Sequence, residues 1–338
     1  MEENTNSHND KDTADALGFS FGSSNKAKHP IKSVVGKNDY FYNMTHKKRG
    51  LAIIFNHQSF IVPYLKDRAG TNVDCEQLKM CFKKLDFEVH VYNDLGVKDL
   101  LDKVEKVSSE DHSDSDCVVL AILTHGEEGL LFARDGAYKH DQVFDNFRGD
   151  KCPTLVGKPK IFFIQACQGS RLDAGIGVYT EMDSSVSCYK IPIYADYLVV
   201  YSTIPESRTL LDRKVEQFQS DSQSSFNNWT NCLEQQKSFY SWRNTTNGSW
   251  FIQALTAELK ESGTMYDLLT ILTFVSRRVA VDFESRVPDN STMDKQKQIP
   301  CVTSMLTRLI KFSPKSDNLI NSVEDIQQTV KEKEVNKN

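Results

Sequence analysis

The sequence predicts an α/β fold, a mostly parallel sheet with helices on both faces. Short runs rich in Ile, Val, Leu and Phe alternate with stretches of helical periodicity between residues 51 and 283. The central runs are apolar at nearly every position rather than at every second one, as in strands buried on both faces. Two of these runs stop abruptly at a histidine and a cysteine, His125 and Cys167. Strand ends are where open α/β sheets build their sites.

Taken in order, Leu51–Asn56 reads as the first strand and Cys75–Leu85 as a helix. Phe87–Tyr92 follows as a strand, Val97–Val107 as a helix and Cys117–Thr124 as a strand. The turn-forming Val156-Gly-Lys-Pro159 introduces the strand Lys160–Gln165, and Tyr197–Tyr201 is the last clear strand. Ser249–Glu261 and Tyr266–Phe283 read as helices; in the second, Leu268, Leu269, Leu272, Val275 and Val279 recur at helical spacing. Two polar stretches, residues 170–189 and 206–238, interrupt this pattern. Loops longer than about 12–15 residues are usually functional or disordered. Residues 1–35 read as a short disordered leader, and residues 313–338 as a polar tail.

Composition narrows the function. The 338 residues are 39% apolar, enough for a sizeable core, and the net charge of −5 argues against a general binder of nucleic acid or anionic membrane. No apolar stretch approaches the roughly 18–20 residues of a membrane span, and the first residues carry no signal peptide. The eight cysteines are scattered with no Cys-x-x-Cys pair, so they read as reduced thiols in a cytoplasmic protein. Asn228-Trp-Thr230 is then not read as a glycosylation site. No Cys/His cluster has ligand spacing. Neither a metal nor another cofactor is expected.

A lone buried cysteine is ordinarily a small hydrophobe. The surroundings of Cys167 argue for more. The segment reads Gln165-Ala166-Cys167-Gln168-Gly169, with His125-Gly126 lying 42 positions upstream of the cysteine. Gln-Ala-Cys-[Arg/Gln/Gly]-Gly with a histidine about 50 residues upstream is the caspase signature. The chain therefore resembles a caspase, and the resemblance covers roughly residues 38–205 and 239–312. Phe41-Tyr-Asn-Met44 and Gly50–Asn56 look like the family's first strand and its lead-in, and Arg68-Ala-Gly-Thr-Asn-Val-Asp74 like its specificity loop. Lys190-Ile-Pro192, Tyr201-Ser-Thr203, Tyr240–Asn244, Gly248–Gln253 and Lys297-Gln-Ile-Pro300 look like landmarks of its small subunit. Their wording and the short leader are most similar to executioner caspases; residues 1–35 are too short for the helical adaptor domain of initiators.

This resemblance implies a six-stranded, mostly parallel sheet, with a large subunit over residues 36–183 and a small one over 184–312. It makes Cys167 the nucleophile and His125 the base, with Thr124 standing where Ser is common. The backbone N–H groups of Gly126 and Cys167 become the oxyanion hole, and the carbonyl of Lys66 orients the imidazole. Arg68, Gln165 and Arg243 match the primary pocket, which in caspases takes an Asp side chain; bidentate Arg suits a buried carboxylate. Tyr240 and Trp242 match the wall of the next pocket, Ser241 and Arg243 the backbone contacts, and Asn244 with Trp250 the pocket for a second Asp. The implied preference is Asp-x-x-Asp. Arg286 stands where executioners carry an aromatic.

The same resemblance implies a zymogen activated by cleavage. Asp12-Thr-Ala-Asp15 and Thr180-Glu-Met-Asp183 fall at the two expected boundaries. Cutting at Asp15 exposes Ala16, a candidate ligand for inhibitor-of-apoptosis proteins. The implied partners are protein substrates with accessible Asp-x-x-Asp sites, an upstream initiator caspase and a second copy of the processed chain. One feature departs from the family. Pro205 and Tyr240 are joined in caspases by a tight turn, whereas about 34 residues, most of them the polar stretch 206–238, intervene here. The insert keeps open a caspase-like decoy of low activity. A relative with basic specificity would require acidic pocket residues, against Arg68 and Arg243.

Overall fold

The apolar runs assemble into one sheet in the computed structural model, which describes residues 38–127, 129–167, 192–204 and 240–315. All of these fall within the unit Lys32–Asn338. The elements are β1 (Leu51–Asn56), α1 (Thr71–Lys84), β2 (Glu88–Asn93), α2 (Val97–Ser109) and β3 (Val118–Leu123). Three short strands follow, β4 (Gly126–Glu127), β5 (Leu130–Phe132) and β6 (Ala137–Lys139), then α3 (Asp141–Phe144). The chain continues through β7 (Lys160–Gln165), β8 (Tyr197–Tyr201), β9 (Arg243–Asn244) and β10 (Gly248–Ser249). It ends with α4 (Trp250–Ser262), α5 (Leu268–Asp282) and β11 (Cys301–Ser304).

The main sheet has six strands in the order β11-β8-β7-β3-β1-β2. Five are parallel, and β11 pairs antiparallel with β8 at one edge. Side-chain alternation along each strand feeds two cores. On one face Ile54, Ala121, Phe163 and Val200 pack with Leu78 and Phe82 of α1, Leu255 of α4 and Leu272 of α5. On the other, Phe55, Leu120, Phe162 and Val199 pack with Leu100 and Val104 of α2 and Val143 of α3. Asp267 caps α5 by accepting hydrogen bonds from the N–H groups of Leu269 (3.0 Å) and Thr270 (3.1 Å). No helix among the described residues is long and apolar enough to cross a membrane.

Strands β1, β7 and β8 occupy the ranges the sequence predicts, and β2 is displaced by one residue. Helix α1 starts a full turn before the expected Cys75. Its first turn is polar, so hydrophobic periodicity does not reveal it. Thr71 and Asp74 in that turn are nevertheless buried, because they face the site rather than the apolar core. Strand β11 was not expected either. It is an edge strand with three of four residues exposed, which leaves no buried apolar pattern to read. The residues 1–35, 170–189 and 206–238 of the sequence reading lie outside the described residues.

Ser313–Lys315, read from sequence as the start of the tail, belong to a buried ionic cluster. Asp116, just before β3, accepts from Arg49 Nη1 at 2.7 Å, Lys315 Nζ at 2.5 Å and the His46 N–H at 2.9 Å. Arg49 also donates to the carbonyls of Leu85 and Ser313. The cluster thus ties the lead-in to β1, the base of β3 and the chain beyond β11 together. Removing one partner of a buried pair leaves uncompensated charge, typically at a cost of about 3–5 kcal/mol. Asp116→Ala is expected to lower the unfolding free energy by that order in urea denaturation.

Candidate active site

Three parallel strands finish level. Asn56 of β1 pairs with Leu123 of β3, and Leu123 pairs with Gln165 of β7. The chain then continues the registry for one more step, with His57 N–H donating to Leu123 O at 2.9 Å and Thr124 N–H to Gln165 O at 3.0 Å. His125 and Cys167 therefore emerge side by side, each two residues beyond its paired strand end. Arg68 arrives from the loop after β1, on the neighbouring strand. The site is a product of register, since a one-residue slip of β7 would turn Cys167 to the other side.

Gly126 sits against the cysteine. A Cβ built there would lie 2.3 Å from the Cys167 carbonyl oxygen and 3.0 Å from Ala166 Cβ. Only glycine permits this approach. His125 Nε2 is 2.7 Å from the Lys66 carbonyl oxygen. A carbonyl accepts only, so Nε2 carries the proton of the neutral ring and the lone pair is on Nδ1. The ring also packs on Phe60, with centroids 4.9 Å apart. Burial holds the His125 pKa below its ordinary value; Arg68 and Arg243 add to the fall and the Lys66 hydrogen bond opposes it. The imidazole is consequently neutral at pH 7.

Arg68 is only 1% exposed. Its Nη1 donates to His57 O at 3.0 Å and to Thr71 Oγ1 at 2.7 Å. Nε and Nη2 have no hydrogen-bond partner among the described residues. Burial, reinforced by Arg243, pushes its pKa down to about 9, so the group stays cationic at neutral pH. Arg243 is held by donation from Nε to Ala69 O at 2.8 Å, and burial lowers its pKa as well. The anionic influences on this pair are Asp74 and the ionised form of Cys167. Asp74 is engaged elsewhere: it accepts from Ser249 N–H at 2.7 Å and Ser249 Oγ at 2.6 Å. Gly248, at φ +90°, makes room for it, since a Cβ would lie 2.3 Å from Asp74 Oδ1. A pocket with one buried and one half-buried guanidinium group, and no carboxylate directly on the Arg68 fork, is suited to an incoming anion.

Gln165 and Ser241 join in a directed chain. Gln165 Nε2 donates to Ser241 Oγ at 2.7 Å, Ser241 Oγ to Ser202 Oγ at 2.9 Å, and Ser202 Oγ to Ala166 O at 3.0 Å. Gln298 anchors the same wall, accepting from Trp242 N–H and donating to Ser202 O, both at 2.7 Å. The backbone of Ser241 lies over the thiol, with its N–H 3.5 Å and its carbonyl oxygen 3.9 Å from Cys167 Sγ. Trp242 stacks on Trp250 and Trp250 on Phe283, each pair with centroids 5.6 Å apart. Phe283 thus supplies an aromatic near Trp250, while Arg286 is exposed. Tyr240 is exposed at the rim. The Asn244 side chain accepts from Thr246 and Asn247 N–H groups within its own turn, at 2.8 and 2.9 Å.

The wall Tyr240–Asn244 therefore reaches the strand ends despite the insert before it. Asp15, Ala16 and Asp183 lie outside the described residues. Phe60 lies in no motif read from the sequence; Thr71, Asp74, Ser202 and Gln298 lie within quoted motifs but carried no individual role there. Among the described residues no group of three or more His, Cys, Asp or Glu could hold a metal ion, and the six cysteines are free thiols.

A thiol, a neutral imidazole and close backbone at the ends of adjacent parallel strands make a cysteine-peptidase type of site. Comparison with known proteins gives the family. Residues 49–226 and 216–311 match the family described as Caspase domain, and the two segments meet inside the polar stretch 206–238. Caspase drICE of Drosophila melanogaster is 50% identical over 305 residues, 89% of this chain and 80% of its own length. Caspase-3 of Bos taurus is 39% identical over 272 residues, 80% of this chain and 87% of its own. The crystal structure of caspase-1 from Spodoptera frugiperda superposes with a TM-score of 0.71 at 45% identity, covering 85% of this chain and 99% of that one. The chain belongs to the caspase family. It is a cysteine-type endopeptidase of the kind that acts in apoptosis.

The closeness of Gly126 to Cys167 yields a direct test. Gly126→Ala must push the two backbones apart, and displacements of about 1 Å in an active site cost about 100-fold in rate. The variant is expected to lose about that factor in kcat/KM while retaining a cooperative melt.

Proposed function

We propose that this protein cleaves its substrates after Asp, with a preference for Asp-x-x-Asp, and that it is made as a zymogen of the executioner type. One observation carries the specificity: the buried Arg68 fork, with Nε and Nη2 unpartnered among the described residues. These two nitrogens share one edge of the guanidinium, the edge that takes a carboxylate side-on through two parallel hydrogen bonds. Arg243 adds a second positive charge at the same pocket. Gln165, beside them at the end of β7, completes it.

The mechanism follows from the atoms at the strand ends. Nδ1 of neutral His125 takes the thiol proton, and Cys167 Sγ attacks the carbonyl carbon of the Asp residue. The negative charge on that oxygen is met by the N–H groups of Gly126 and Cys167. Protonated His125 then gives its proton to the leaving amine, and the C–N bond breaks. Water attacks the remaining thioester, His125 takes its proton, and the acid product leaves with the thiol restored. Lys66 O fixes the ring throughout. Tyr240, Trp242 and Trp250 form apolar walls; Ser241 and Arg243 offer backbone to the peptide; Asn244 lies beside the outermost pocket.

Activation is by cuts at Asp15 and Asp183, giving a large subunit ending at Asp183 and a small one beginning at Ser184. The upstream enzyme is an initiator caspase, the exposed Ala16 is a ligand for inhibitor-of-apoptosis proteins, and the setting is the cytoplasm. Family resemblance supports a dimer of processed units, and β11, an edge strand among the described residues, offers a second copy a place to pair.

The test compares reporters that differ only in Asp or Asn at the cleaved residue. Sites built to bind a charged or polar group reject analogues lacking it by about 1,000-fold or more. The processed chain is expected to show that preference, and Cys167→Ala to cut nothing and to remain intact at Asp183. Equal rates on the two reporters would contradict the assignment.

A further inference from the structure

The fork of Arg68 is open on one edge because its other edge is held by a chain of polar groups that runs away from the site. Arg68 Nη1 has two N–H donors. One goes to His57 O at 3.0 Å and the other to Thr71 Oγ1 at 2.7 Å. Thr71 Oγ1 donates in turn to Asn56 Oδ1 at 2.8 Å. Asn56 Nδ2 donates to Asn72 Oδ1 at 2.8 Å and to Asn93 Oδ1 at 3.0 Å. Asn72 Nδ2 donates to Gln58 Oε1 at 2.5 Å. The polarity has a single sense from the cation outward, so each bond polarises the next in the same direction.

Burial makes the chain specific. Arg68, Thr71 and Asn56 are 1%, 0% and 2% exposed. None of these groups can exchange a lost partner for bulk water at that depth. The elements that carry them are the ones that define the site: Asn56 ends β1, Thr71 begins α1, and Asn93 ends β2. A side-chain hydroxyl is required at position 71 to accept from Arg68 and donate to Asn56 at once. Valine has the shape of threonine and can do neither.

We infer that Thr71 and Asn56 are positioning residues for substrate selection: they lock the Arg68 guanidinium so that its Nε–Nη2 edge, and no other, faces the carboxylate of the substrate. This rests on the reading of Arg68 as the carboxylate anchor. Without Thr71 Oγ1 the guanidinium keeps only His57 O on that edge and can turn about its side-chain torsions. Substrate binding then includes the cost of restoring its orientation.

The test uses the processed full-length chain and four variants, Thr71→Val, Thr71→Ala, Thr71→Ser and Arg68→Ala. Thr71→Val and Thr71→Ala are expected to raise KM for the Asp reporter about tenfold, the loss of one buried hydrogen bond to a charged group. A change in uniform binding leaves kcat within about twofold. The ratio of Asp to Asn reporter rates should fall with the rise in KM. Alkylation of Cys167 by iodoacetamide, which needs no pocket, should proceed at the wild-type rate. Thr71→Ser keeps the hydroxyl and should return KM to within about twofold of wild type.

Unchanged KM and Asp:Asn ratio in Thr71→Val would overturn the inference, as would loss of cooperative melting in both hydroxyl-free variants, which would assign Thr71 to folding alone. Arg68→Ala separates the layers. If it keeps the Asp preference, the anchor reading itself is wrong. If it loses the preference while Thr71→Val keeps it, only the positioning role fails.

Discussion

A buried guanidinium with one edge left unpaired is the interaction on which the rest of the site depends. Arg68 cannot shed its charge at neutral pH, even with its pKa pushed down to about 9. The fold must therefore hold a cation in the dry interior without neutralising it. It does so by placing carbonyl and hydroxyl oxygens on one edge and keeping Asp74, the carboxylate that acts on Arg68 electrostatically, occupied by Ser249. Such a pocket is costly while empty and is relieved by an anion. That asymmetry is the physical basis of the proposed preference for acidic side chains.

The chemistry is set beside this pocket by the sheet. Because β1, β3 and β7 end level, the loop with Arg68, the imidazole of His125 and the thiol of Cys167 meet without long excursions of the chain. The helical layers fix that register from both faces. The Asp116 cluster fixes the opposite end of β3, where Arg49 and Lys315 converge. The far end of the sheet is thus pinned by buried charge pairs. The near end is left with unpaired polar groups, as expected where binding rather than stability is served.

Much of this was legible in the sequence. The runs Leu51–Asn56, Lys160–Gln165 and Tyr197–Tyr201 are apolar apart from Asn56, Lys160 and Gln165 at their ends, and became strands over those ranges. His125, Cys167 and Arg68 stood out because motif and spacing brought them forward. What escaped has a common cause. Thr71, Asp74, Ser202 and Gln298 fall inside motifs the sequence brought forward, but their roles lie in contacts across the fold, which one dimension does not show. Asn56 did leave a signal, a polar residue closing an otherwise apolar strand. Phe60 left none, since a single aromatic in a polar loop acquires meaning only when His125 is set against it at 4.9 Å. Edge strand β11 was hidden by its own exposure.

The central claim is geometric, and a structure tests it most directly. The processed chain should be crystallised with a peptide aldehyde ending in Asp, which forms a thiohemiacetal with Cys167. The account predicts the aspartyl carboxylate side-on against Nε and Nη2 of Arg68, with Nη1 still bonded to His57 O and Thr71 Oγ1. The former aldehyde oxygen should face the Gly126 N–H. A carboxylate bound elsewhere, or an Arg68 that has turned away from Thr71 to meet it, would contradict the account.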